Sequence, residues 1–289
     1  MPPTRFSYPS SDGTQIAAFR WDAVAEPFAA LQITHGMGEH AQRYDHVAVA
    51  LNQAALVVYA QDHRGHGETA DLQALGDLGE GGWPALVEDV GRLSARARDE
   101  HPGIPLILLG HSMGSYAVQQ YLLDHSADVD GAILTGTSVI DLLEPALDLD
   151  QPIDLAVFNA AFQPARTEFD WLSRDEAIVD AYVADPRCGF GIDPAAAKAM
   201  FAGARRMADP GEVGKMRPDL PVYIAAGELD PLHGGLSLLT PLAERYRAAG
   251  LRDVEVRTYP GARHEIFNET NRAEVIGDLI AWLDRFRPT

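Results

Sequence analysis

Short runs of apolar and β-branched residues recur along this chain, and between most of them the apolar positions return with the 3.6-residue period of a helix. Phe6–Tyr8 and Ile16–Trp21 flank Ser11-Asp12-Gly13, the pattern of an opening hairpin. Six further runs read as strands: Ala30–Thr34, Leu56–Gln61, Leu106–Gly110, Ala132–Thr135, Val222–Ala226 and Val254–Tyr259. Helical periodicity spans Tyr44–Gln53, Trp83–Glu100, Ser115–His125, Leu236–Ala249 and Asn271–Phe286. Strands alternating with helices predict an α/β fold, a mostly parallel sheet covered on both faces.

The alternation breaks between Gly136 and Asp219, where one short crossover would otherwise join two strands. Apolar residues from Leu142 to Phe162 dominate the first part, interrupted by Pro145, Pro152 and Pro164. Such an insertion reads either as a cap over a pocket or as helices packed on the core with no role in binding. Its place after the carboxyl end of a strand, where α/β sheets keep their sites, favours the cap. The expected division is a core of residues 1–135 and 220–289 with a cap of residues 136–219.

Ile107–Gly114 runs a buried-strand pattern straight into Gly110-His-Ser112-Met-Gly114. This is the spacing of a nucleophile elbow, a tight strand-to-helix turn that projects a serine hydroxyl above the sheet. A serine needs a base and the base an orienting acid, and in this topology they follow in the order serine, acid, histidine. Asp230 fills the acid position after Val222–Gly227, and His264 the base position after Val254–Tyr259. Asp141, Glu228 and Glu265 compete for the acid role. An oxyanion needs two backbone donors. Met113 N–H is one candidate, and Met37 N–H, in His35-Gly36-Met37-Gly38, is the other. His63-x-x-His66 hints at a metal but lacks a third ligand, so neither metal nor cofactor is expected.

Composition narrows the partners. A net charge of −19 excludes a nucleic-acid footprint and disfavours anionic lipid, while leaving apolar contact with a lipid surface open. The one cysteine, Cys188, excludes an intrachain disulfide. Met1-Pro-Pro-Thr-Arg-Phe6 lacks a signal-peptide core and no 18-residue apolar run occurs, so a cytoplasmic protein is expected.

With these motifs in order, the chain resembles the α/β-hydrolase superfamily, and within it the monoacylglycerol lipase and lysophospholipase branch. The likeness runs through His35-Gly-Met-Gly-Glu-His40 with Arg43-Tyr44, Asp62-His-Arg-Gly-His-Gly67 and Gly110-His-Ser-Met-Gly114. It continues in Leu172-Ser-Arg174, Asp185-Pro186, Gly227-Glu-Leu-Asp230 and His264-Glu-Ile-Phe-Asn-Glu269. The resemblance implies an eight-stranded sheet with a helical cap whose apolar wall receives an acyl chain, touching lipid surfaces transiently. It implies hydrolysis of a small acyl ester, most directly a monoacylglycerol. A lysophospholipase or broad carboxylesterase on the same triad is the alternative, and a non-catalytic receptor for an apolar ligand is the reading from another class. Glu39 and Arg43 match residues that hold the glycerol head group, but a buried salt bridge bracing the loop explains them equally well. Ser115 replaces the glycine that usually follows the elbow, and Phe267 stands where the lipases place a polar contact.

Overall fold

The computed structural model describes residues 2–288. Eight strands form one sheet: β1 (Thr4–Pro9), β2 (Gln15–Trp21), β3 (Ala29–Thr34), β4 (Leu56–Gln61), β5 (Leu106–His111), β6 (Gly131–Thr135), β7 (Val222–Gly227) and β8 (Val254–Tyr259). Their spatial order is β1-β2-β4-β3-β5-β6-β7-β8, with β2 antiparallel to both neighbours and the remaining pairings parallel. Every residue of β3 to β7 is buried, which is why these strands read as mostly apolar runs, with Gln32 the polar residue inside one of them. The edge strand β8 differs. Its Glu255 and Arg257 are exposed and blunt the edge against pairing with another chain.

Helices α1 (Asp45–Gln53) and α8 (Arg272–Leu283) cover one face through Val47, Leu51, Leu279 and Trp282. Helices α2 (Gly82–Glu100) and α3 (Met113–His125) cover the other through Leu86, Val90, Ala117 and Leu122. Between β6 and β7 the chain forms short 3-10 turns up to Leu172, then α4 (Glu176–Ala184), α5 (Pro194–Ala208) and α6 (Pro210–Val213). Side chains of Asp175, Asp193 and Asp209 cap these three helices, and a proline opens each of the last two. Helix α5 packs on α2 and α3.

Two helices differ from the sequence pattern. Helix α7 (Thr240–Ala248) starts at Thr240 rather than Leu236, because Gly234, Gly235 and Leu236 all take positive φ and Pro241 suits a first turn. Helix α3 starts at Met113, directly after the serine, rather than at Ser115. No described helix is long and apolar enough to cross a membrane. The parallel strands share one direction, so the loops after β3, β5, β6, β7 and β8 gather at one end of the sheet.

Candidate active site

Ser112 joins β5 to α3 with φ 51° and ψ −124°, a conformation that an L-residue holds only when its surroundings enforce it. They do. Its N–H donates to Thr135 O at 2.9 Å, and its carbonyl accepts the Ser115 N–H at 2.8 Å and the Ser115 hydroxyl at 2.6 Å. Ser115 therefore ties down the elbow, a role that the sequence pattern does not reveal. The flanking glycines are steric requirements: a Cβ on Gly110 would lie 2.6 Å from Ser115 Cα, and one on Gly114 would overlap the Thr34 carbonyl oxygen.

Asp230 ends the tight turn after β7, where Oδ1 accepts the Leu232 N–H at 2.9 Å. Its Oδ2 lies 2.9 Å from Nδ1 of His264, and both side chains are buried. The competing acids are engaged elsewhere: Asp141 with Arg245, Glu228 with the Thr258 hydroxyl, and Glu265 with Arg43 and Asn268. Burial opposes ionisation of Asp230, but attraction to His264 outweighs it and holds the carboxyl below its ordinary range. Burial likewise favours a neutral His264, yet the Asp230 carboxylate raises its affinity for a proton above the usual value. The pair is thus built to stabilise an imidazolium.

The loop after β3 brings Gly36 so close that a Cβ there would lie 3.0 Å from Ser112 Cβ. The Gly36 N–H donates to Glu39 Oε1 at 2.6 Å. Nε2 of His35 accepts the His63 N–H at 3.0 Å, so its proton is on Nδ1 and is donated to Gly36 O at 2.8 Å. Burial pushes this imidazole well below its ordinary pKa and keeps it neutral. Among the described residues neither Met37 N–H nor Met113 N–H is taken up by a backbone partner. Both residues line the cavity that holds Ser112 and His264.

Arg43 donates to Glu39 at 2.7 Å and grips Glu265 through both terminal nitrogens, while Tyr182 covers its guanidinium at 4.8 Å. Glu39 Oε1 also accepts the Tyr44 hydroxyl at 2.8 Å. Glu39 and Glu265 line the cavity, and Arg43 stands behind them. Phe267 is buried in the α8-side core, away from the cavity, with its carbonyl facing His46 at 2.8 Å. His63 and His66 are buried and held neutral, with pKa values pushed down by burial to about 3 and about 4. A different trio, His40, Asp185 and Cys188, offers potential metal donors within 4.8 Å of one another. His40 already pairs with Asp185 at 2.9 Å, and burial pushes the Cys188 thiol up, so this donor set does not suit a cation.

The cavity amounts to about 650 Å³, counting the part open to solvent. Ser112 and His264 lie at its polar end, and residues from the β6–β7 insertion, including Leu143, Leu147, Ile153, Phe158, Met200 and Phe201, form most of its apolar wall. Trp171, also from the insertion, packs its ring 4.8 Å from the His264 ring. No periodic pattern announces Trp171, which sits in a short 3-10 turn. Such a site, with a serine on an elbow, a paired histidine and acid, two free N–H groups and an apolar wall, suits acyl transfer from an ester.

Comparison with known proteins agrees. A family model described as serine aminopeptidase, S33, matches residues 25–271. A monoacylglycerol lipase of Mycolicibacterium smegmatis is 32% identical over 96% of this chain and 95% of that protein. A human monoglyceride lipase is 28% identical over 90% of this chain and 83% of its own length. A thermostable carboxyl esterase from Bacillus coagulans, solved in complex with glycerol, superposes with a TM-score of 0.86 at 28% identity, covering 99% of both chains.

Proposed function

The chain belongs to the serine aminopeptidase S33 family of α/β hydrolases, and on that footing we propose that it hydrolyses monoacylglycerols through a Ser112–His264–Asp230 triad. Ser112 Oγ attacks the ester carbonyl as His264 takes its proton, and Asp230 fixes the imidazole tautomer and stabilises the imidazolium. The N–H groups of Met37 and Met113 receive the oxyanion. His264 then protonates the departing glycerol. A water activated by the same imidazole releases the fatty acid from Ser112.

The observation that carries this reading is the 2.9 Å Asp230–His264 pair, whose histidine lines one apolar cavity together with an elbow serine at positive φ. The cavity also favours a neutral head group. Its charged lining residues are the carboxylates Glu39 and Glu265, and their Arg43 partner already pairs with both of them. A phosphorylated head group meets repulsion there, which ranks a lysophospholipase second. A carboxylesterase of broad range remains the other alternative, supported by the likeness to the carboxyl esterase. An aminopeptidase would need an unpaired carboxylate for the substrate amine, and Glu39 and Glu265 are both occupied.

Residues 136–219 act in this proposal as the cap over the core. Leu143 and Phe158 face the cavity, while their neighbours Leu142 and Val157 are 56% and 51% exposed. No charged residue interrupts the turn Leu155–Phe162. This rim suits brief contact with an uncharged lipid surface, from which the substrate is drawn.

The test is turnover of purified protein on monoacylglycerols, lysophospholipids, short soluble esters and aminoacyl amides of graded length. Monoacylglycerols are expected to give the highest kcat/KM, and Ser112→Ala to lose on the order of a millionfold in kcat. Preference for short soluble esters would sink the lipase reading. Near-normal turnover by Ser112→Ala would sink the triad, and labelling of Ser112 by a fluorophosphonate without any turnover would indicate a receptor.

A further inference from the structure

Glu269 lies five residues past His264 and its side chain is fully buried, yet it touches neither the cavity nor the imidazole. Its carboxylate gathers donors from two separate parts of the chain. Oε1 accepts the backbone N–H of Arg263, the residue before His264, at 2.8 Å and that of Arg174 at 3.1 Å. Oε2 accepts Arg174 Nε at 2.8 Å and the Thr270 N–H at 2.9 Å. One carboxylate thus spans the histidine loop and the β6–β7 insertion, 95 positions apart in sequence.

The junction it holds bears directly on the imidazole. Trp171 O accepts the His264 N–H at 3.4 Å, and Leu172 O accepts the Glu265 N–H at 2.8 Å. Those two bonds place the Trp171 ring against the His264 ring. The Ser173 hydroxyl donates to Asn268 O at 2.9 Å, closing the far side. A buried carboxylate accepting charge-assisted bonds at this spacing is a strong and short-ranged restraint.

We propose that Glu269 is a positioning residue for His264: it locks segment 171–174 to loop 263–270, so that Trp171 and the backbone set the imidazole over Ser112. The inference rests on His264 being the catalytic base. It makes this part of the insertion a fixed wall of the site.

The experiment compares wild type, Glu269→Gln and Glu269→Asp, after fluorophosphonate labelling of wild type, but not of Ser112→Ala, has established the reactive serine independently. In either orientation Gln sets its amide donor against one of the two pairs of N–H groups, the Arg263 and Arg174 amides or Arg174 Nε and the Thr270 amide, and it removes the charge, so it weakens the tie with little change of volume. The expected result is folded protein with kcat lowered about tenfold or more, KM within about twofold of wild type, and partial rescue by Asp. The acid limb of the kcat/KM profile should also move to lower pH as the His264–Asp230 contact loosens. A purely structural role would lower activity only with the folded fraction and leave the limb in place, and that outcome overturns the proposal. Should neither variant fold, hydrogen exchange on wild type decides. The amides of Arg174, Arg263 and Thr270 must exchange as one slow set, and release of Arg174 ahead of the other two refutes the tie.

Discussion

The Nδ1–H of His35 donates to the carbonyl of Gly36, and that carbonyl belongs to the same peptide group as the Met37 N–H. Because a peptide is planar, fixing its oxygen on one side fixes its N–H on the other. His35 therefore aims the Met37 donor without touching substrate. Replacing it by Leu, near in volume but with no donor, should lower kcat roughly ten- to a hundredfold, less than outright loss of an oxyanion donor. KM should change little. Steady-state kinetics on a soluble ester, with Tm as a control for folding, reads both.

The proposed mechanism needs His264 neutral, and Asp230 raises its proton affinity above the ordinary histidine value. The kcat/KM profile should accordingly rise with pH through a limb placed above about 6.5. Asp230→Asn removes the charge that raises the limb, so the limb moves down. The rate falls at the same time, on the order of ten-thousandfold, because the imidazole loses its tautomer control. A limb unmoved in Asp230→Asn would mean another carboxylate sets it.

Stability should fall in mild acid for a separate reason. His63 and His111 are buried with pKa values pushed to about 3, and His66 to about 4. The unfolded chain protonates them near 6.5, so between that pH and about 4 it binds protons the folded protein refuses. The stability they contribute is complete above about 6.5 and is lost as pH falls, at up to about 1.4 kcal/mol per pH unit for each group. Chemical denaturation at stepped pH measures the slope. A flat profile from about pH 7 to about pH 4 would contradict the burial of these rings as neutral groups.

Two glycine substitutions should act in opposite directions. Gly114→Ala drives a Cβ into the Thr34 and His35 carbonyls beneath the elbow, so a loss of more than about 3 kcal/mol is expected. Gly277 lies in α8, and a methyl group added there would meet nothing within 4 Å. Gly277→Ala should therefore gain about 0.5–1 kcal/mol. Thermal unfolding of the two variants side by side checks the pair.

The sheet is legible in the sequence because each central strand is buried on both faces and so is mostly apolar, as in Leu106–Leu109 of β5. Asp230 and His264 are legible because this topology places them just past strand ends. Glu269 and Trp171 are not, since their partners lie far off in sequence at Arg174 and His264, and neither sits in a periodic element. Glu39 and Arg43 leave two readings open in the sequence; in the fold their polar atoms are taken up by Gly36, Tyr44 and Glu265. The start of α7 escapes the sequence pattern because Leu236 continues the apolar spacing while its backbone, at φ 73°, does not continue the helix.

The carboxylates of Glu39 and Glu265 at the polar end of the cavity also bear on how a reaction cycle finishes. The ester enters uncharged, but hydrolysis leaves a fatty acid that ionises beside Ser112. The single Arg43 guanidinium leaves this pair of carboxylates with one uncompensated negative charge, so product and site repel across a poorly screened gap, and the chemistry itself turns a well-held guest into a repelled one. Turnover in this cavity is coupled to expulsion, and accumulated fatty acid should be a weak inhibitor at neutral pH and a stronger one in acid.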